Sequence, residues 1–206
     1  MAFSGRLRKV RTELITISEW VQHNSRVLDL GCGDGALLAY LRDRRGVTGY
    51  GIENDIDKII SCIDAGVNVI HTDLETGLAD FQNRAFDYVL MTQTLQAVHH
   101  TERLLDEMLR VGREGIVTFP NFGYWKCRLD LAANGRMPVV KTLPYEWYNT
   151  PNVHLFTIQD FERLCRDKNI KILQRIVVNH SHHSHLGLRL FPNLLGELAL
   201  YRLSRP

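Results

Sequence analysis

The stretch Val27-Leu28-Asp29-Leu30-Gly31-Cys32-Gly33-Asp34-Gly35 limits the fold of this chain more than any other. A short apolar run leads into three glycines at alternate positions, and a helix-forming run with Leu37, Leu38 and Leu41 on one face follows. Glycine is needed where φ must be positive or where a ligand must approach the backbone. A helix that begins directly behind such a turn offers its free N–H groups to an anion. The segment therefore reads as the first strand, loop and helix of an α/β sheet with a ligand at the loop.

Period, length and punctuation extend that rhythm along the chain. Leu14, Ile17, Trp20 and Val21 predict an N-terminal helix over 11–24. Strands are predicted over 26–30, 48–52, 67–71, 86–91 and 115–119, with helices over 35–44, 57–65 and 102–111 between them. Thr157 is a candidate N-cap for a helix through Arg166. Two late strands, 171–178 and 194–203, have only a loop between them and predict an antiparallel hairpin at one edge. The expected fold class is α/β: a Rossmann-like, mostly parallel seven-stranded sheet with helices on both faces. Residues 1–206 read as a single domain. Such a sheet binds ligands at the carboxyl ends of its strands. Residues 121–154 stand outside the rhythm as an aromatic, irregular stretch, and 121–156 is expected to form a rim or lid.

Composition excludes several classes. A chain of 206 residues with 45% hydrophobic and 23% charged residues is an ordinary globular sequence. A net charge of +2 carries no general nucleic-acid signal. No apolar run is long enough to span a membrane. The basic start, Arg6, Arg8, Lys9 and Arg11, has no apolar segment behind it and does not read as a signal peptide. Cys32, Cys62, Cys127 and Cys165 form no CxxC pair, which excludes a zinc ribbon and fits a reducing, cytoplasmic compartment. His180, His182, His183 and His185 read as a polar loop rather than a metal site, so no metal ligands are assigned.

The loop admits two ligand classes. Gly31-x-Gly33-x-x-Ala36 satisfies the dinucleotide pattern, as an NAD site would. Charge separates the readings: a pyrophosphate there meets Asp29 and Asp34, at a coulombic cost. S-adenosylmethionine has no phosphate and carries an ammonium and a sulfonium that carboxylates favour. Glu53 ends the second strand, 22 residues past Gly31, where an acid accepts from ribose hydroxyls in either ligand. Asp73 follows the third strand, while Asp87 reads as structural.

The V-L-D-L-G-C-G-D-G string resembles motif I of the class I S-adenosylmethionine-dependent methyltransferases. That resemblance implies a cofactor site of Asp29, Gly31, Gly33, Gly35, Glu53, Asn54, Asp73, Leu74, Thr92 and Gln93, with Asp73 at the adenine amino group and Leu74 against the ring. Downstream, Phe86-Asp87-Tyr88-Val89-Leu90, Gln93-Thr94-Leu95-Gln96, Phe119-Pro120-Asn121-Phe122-Gly123, Gly135-Arg136-Met137-Pro138, Leu143-Pro144-Tyr145 and Trp147-Tyr148-Asn149-Thr150-Pro151-Asn152-Val153-His154-Leu155 resemble the MetW family. The resemblance implies a methionine-biosynthesis protein that binds S-adenosylmethionine or S-adenosylhomocysteine and supports a homoserine O-acyltransferase, MetX. A catalytically active small-molecule methyltransferase is the alternative, and an NAD-binding Rossmann protein a more remote one. No catalytic residue is assigned; His99, His100, His154 and Tyr148 are the side chains able to act as a base. Trp125, Arg128, Tyr145, Trp147, Tyr148 and His154 are candidates for a substrate pocket or a partner-docking surface, where Trp, Tyr and Arg concentrate binding energy.

Overall fold

A computed structural model of the protein describes residues 13–179 and 186–206. Arg6, Arg8, Lys9, Arg11 and the four histidines at 180–185 lie outside the described residues. The sheet has seven strands: β1 Arg26–Leu30, β2 Thr48–Glu53, β3 Val69–His71, β4 Phe86–Thr92, β5 Gly112–Pro120, β6 Lys171–Val178 and β7 Leu198–Ser204. Their order is β3-β2-β1-β4-β5-β7-β6. β1 runs parallel to β2 and β4, β2 runs parallel to β3, and β6 and β7 form the expected antiparallel edge pair. No helix among the described residues is long and apolar enough to cross a membrane.

The chain divides into two compact units, residues 1–92 with 102–116 and residues 93–101 with 117–206. In the first, the helices are α1 (13–20), α2 Ala36–Arg45, α3 Ile56–Asp64 and most of α4 Thr101–Val111. Its core is aliphatic, with Val27, Leu28, Leu30, Leu41, Ile52, Leu90, Leu105 and Met108 sealed from water. Parallel register sets Leu30 beside Ile52 and Glu53 beside His71, so the carboxyl ends of β1, β2 and β3 share one rim. Asp87 accepts from the Arg26 amide at 2.9 Å and lies 3.7 Å from Arg113, a structural role as expected.

The second unit is organised around aromatic rings. Phe119 packs against Phe156, Phe161 and Tyr201 with centroids 4.7, 4.8 and 5.8 Å away. Its helices are α5 Trp125–Asn134, α6 Ile158–Asp167, α7 Leu186–Leu190 and α8 Pro192–Leu195. Thr157 caps α6 as expected, in a reciprocal capping box with Asp160.

Besides shifts of one to three residues at other ends, such as β3 starting at Val69 and β5 at Gly112, three departures from the sequence reading bear on the fold. The first helix, expected over 11–24, ends at residue 20 among the described residues, because Asn24 takes a left-handed φ of 58° to turn the chain into β1. Residues 121–154 are not irregular throughout: α5 runs through them and ends at Gly135, whose φ of 62° closes a helix without strain. The last strand starts at Leu198 rather than Leu194, and α7 and α8 stand where a plain loop was expected. Pro192 sits at the first position of α8, where its fixed φ suits a helix start and its missing N–H costs nothing.

Phe161, 2% exposed in the ring cluster, is the test of this packing. Phe161→Ala is expected to destabilise the protein by roughly 3–5 kcal/mol in urea unfolding. Thr157→Ala is expected to cost only about 1 kcal/mol, since it removes a cap and no core volume.

Candidate functional site

Gly31, Gly33 and Gly35 take φ values of 72°, 58° and 75°, a conformation that side chains rarely adopt. A Cβ on Gly33 would meet nothing within 4 Å, so the backbone there faces open space. Gly35 is the N-cap of α2 and has no side chain to cap it, and the first turn holds no acid; Asp34, just before it, takes the first amide of the helix. The next N–H groups, of Leu37 and Leu38, with the positive end of the helix dipole, suit a carboxylate or another anion. Asp34 is exposed and accepts from the Ala36 amide at 3.1 Å.

Glu53 fixes the loop. Its Oε2 accepts from the Gly33 amide at 2.9 Å, and its Oε1 accepts from the amides of Asn54 and Asp55 at 3.0 and 3.1 Å. Lys58 lies 4.0 Å from Oε1. Asn54 enters the set through its backbone, with its side chain in solvent. A carboxylate offers about four lone-pair sites, so Oε2 keeps acceptor capacity toward a hydroxyl.

Asp29 is the unusual member. It stands one residue before the end of β1, paired in register with Gly51 and Leu90, and is 0% exposed. Neither carboxylate oxygen has a hydrogen-bond partner in the structure. Burial, with Glu53 and Glu13 nearby, pushes its pKa up to about 7. An orphan buried carboxylate is costly, and a cationic donor delivered by a ligand removes that cost. The residues present therefore fit a ligand with an ammonium over Asp29, an anionic end at α2 and hydroxyls at Glu53.

Asp73 lies two residues past β3, exposed, with Oδ1 accepting from the Glu75 amide at 2.7 Å and its carbonyl accepting from Gly77 at 2.8 Å. It shapes a turn and retains Oδ2, while Leu74 beside it is half-buried. Thr92 ends β4, and Gln93 begins the second unit with a left-handed φ of 51°.

Sequence spacing conceals two features. Cys32 and Cys62, thirty residues apart, meet with Sγ atoms 3.7 Å apart, and the Cys62 thiol donates to the Gly33 carbonyl at 3.1 Å. Burial raises both thiol pKa values, so the pair packs beneath the loop as neutral thiols. In the second unit, Gln96 is buried; its backbone carbonyl accepts from Val153 and His154 at 2.8 and 2.9 Å, and its Oε1 has no partner. The two motif stretches Gln93–Gln96 and Trp147–Leu155 are thus bonded to each other, a link that only the fold reveals.

The six aromatic, Arg and His candidates do not form one cluster. Arg128 donates to the Gly123 carbonyl at 2.6 Å, and His154 Nε2 donates to the His99 carbonyl at 3.1 Å, so both hold the second unit together. Trp125 and Trp147 line adjoining open furrows beside α5. Trp147 and Tyr148 pack edge to face, 73% and 69% exposed, and Tyr145 is also exposed.

The Asp29 charge has a consequence for stability. A folded pKa raised from about 4 to about 7 means that folding takes up a proton in this interval. The contribution is complete below about pH 4 and is lost as pH rises toward 7. Asp29→Asn removes this dependence. Its Tm relative to the native protein, without ligand, is expected to climb between about pH 4 and 7 and to level off above that.

Comparison with known proteins agrees with the fold and specifies the family. The family profile described as "Methionine biosynthesis protein MetW" matches residues 11–203. A bifunctional methionine biosynthesis protein MetXA/MetW from Rhodopirellula baltica is 36% identical over 199 residues, 92% of this chain and 32% of the relative. The chain thus spans about a third of the length of that relative. Among solved structures, a SAM-dependent methyltransferase from Archaeoglobus fulgidus superposes with a TM-score of 0.66 at 15% identity, covering 96% of this chain and 94% of that one. A SAM-dependent methyltransferase from Thermotoga maritima, a possible histamine N-methyltransferase, gives 0.63 at 17% identity, covering 97% and 90%. These two likenesses establish the fold, a class I methyltransferase-like sheet. The match across 11–203 and the 36% identical relative establish more: the chain belongs to the MetW family.

Proposed function

We propose that the chain binds S-adenosylmethionine or S-adenosylhomocysteine at the glycine loop and serves a homoserine O-acyltransferase, MetX, in methionine biosynthesis in the cytoplasm. The observation that carries the ligand reading is the buried, unpartnered carboxylate of Asp29. NAD brings two more negative charges to a loop that already holds Asp29, Glu53 and Asp34. An S-adenosyl ligand brings an ammonium.

In this reading each group has a physical task. Asp29 takes the ligand ammonium. The N–H groups of Leu37 and Leu38 at the start of α2 take its carboxylate, and the open backbone at Gly33 lets it lie close. Glu53 receives ribose hydroxyls while holding Gly33 in place. Asp73 accepts from the adenine amino group through Oδ2, with Leu74 packing the ring. Thr92 lies at the adjoining strand end.

The acyltransferase reading is supported by the relative that carries both names in one chain. S-adenosylmethionine is the downstream product of methionine, so a protein that binds it beside the acylating enzyme reports end-product level. Such a role requires binding and no methyl transfer. Fold alone does not decide between the two, because one fold hosts many functions.

Calorimetry separates the ligand readings: S-adenosylhomocysteine should bind, and NAD should not. Tight NAD binding without S-adenosyl binding contradicts the assignment. Glu53→Ala is expected to weaken S-adenosylhomocysteine binding by about 10–100-fold, the loss of charged hydrogen bonds to two hydroxyls. For the partner, the acyltransferase should co-purify with the chain from cells and be less active without it. Reproducible acceptor-dependent turnover of labelled S-adenosylmethionine would replace the accessory role by an enzymatic one.

A further inference from the structure

Helix α3 touches the candidate site at two points. At its start, Asp55 is the N-cap, accepting from the Asp57 amide at 3.0 Å, while its own amide donates to Glu53. Near its end, the buried Cys62 donates to the carbonyl of Gly33 in the glycine loop. Any ligand that loads Glu53 and the loop acts directly on this helix.

The opposite face of α3 is apolar and open to solvent. Ile56, Ile60 and Ile63, spaced i, i+4 and i+7, are 62%, 51% and 63% exposed. Three isoleucines in one helical stripe have the form of an anchor row laid into a groove. Singly exposed apolar residues need no explanation, whereas a contiguous row marks an interaction surface.

Charge identifies what covers the stripe. The helical period places Asp57 and Asp64 along its solvent flank. Neither carboxylate has an ion-pair partner among the described residues. Lys58 points the other way, 3.7 Å from Asp55 and 4.0 Å from Glu53. A second copy of this chain would bring acid against acid. The fitting occupant is an apolar patch edged by Lys and Arg, and the relative that joins MetXA to MetW supplies the class of chain.

We infer that the Ile56–Ile60–Ile63 face of α3 docks the homoserine O-acyltransferase and transmits the ligand state of the glycine loop to it. This rests on the S-adenosyl and acyltransferase readings above. The contact is reciprocal: bound ligand changes partner affinity, and bound partner changes ligand affinity by the same factor.

The test uses the full chain and the acyltransferase of the same organism, with affinity measured with and without S-adenosylhomocysteine. Ile60→Asp should weaken the complex by at least roughly 30-fold. It should leave S-adenosylhomocysteine affinity in the absence of partner unchanged, which also shows that the fold is intact. A double charge reversal, Asp57→Lys with Asp64→Lys, should weaken the complex most at low salt. The proposal is overturned if Ile60→Asp binds as the native chain does, or if only Trp147→Ala weakens the complex. It is also overturned if the native chain alone is a dimer by light scattering that Ile60→Asp splits. If the native chain binds no acyltransferase at all, the acyltransferase reading falls with it.

Discussion

The hydrogen bond from the Gly33 amide to Glu53 holds the site in shape. It ties a loop of three left-handed glycines to the end of the neighbouring strand. The same carboxylate collects two further amides at the start of α3, and the Cys62 thiol supports the Gly33 carbonyl from the other side. The loop is thus clamped at both groups of one peptide residue. The clamp leaves Asp29 sealed beneath the loop without a donor. The unit accepts that cost, and a cationic ligand is the arrangement that relieves it. Preorganisation of this kind reduces the ordering cost of binding.

Much of this was legible in the sequence. Glycines at alternate positions after an apolar run dictate a positive-φ turn, and the acid 22 residues later falls where a parallel neighbour places it. The edge hairpin and the Thr157 cap follow from periodicity and cap chemistry, and both stand in the structure. Other features depend on long-range packing that period does not encode. The Cys32–Cys62 contact joins positions whose spacing carries no motif. The short helices before β7 lie in a stretch whose apolar residues have no helical signature long enough to recognise, and Pro192 is the local signal that marks one of them. The aromatic residues of 121–154 suggested one surface. Hydrogen bonds of Arg128 and His154 instead assign two of them to internal support.

Family and fold establish a methyltransferase-like sheet of the MetW family, and the proposed role asks of it binding alone. In the proposed reading the residues around the glycine loop hold a ligand: an acid for a cation, helix N–H groups for an anion, an acid for hydroxyls. In a system where an end product signals to an early enzyme, binding energy is the signal, and it must reach a surface. α3 is attached to Glu53 at its start and to the Gly33 carbonyl near its end, and displays an apolar row outward. One helix thereby joins sequence features that look unrelated in a linear reading: Glu53, a buried cysteine and three isoleucines.

The central claim is that Asp29 exchanges its proton for the ammonium of the ligand. Proton release on binding measures this directly. Calorimetric titration with S-adenosylhomocysteine at pH 6.5, in two buffers of different ionisation enthalpy, counts the protons released. With the Asp29 pKa raised to about 7 by burial, roughly half to one proton should leave per ligand bound, and Asp29→Asn should release none. Binding with no proton release by the native protein would contradict the account.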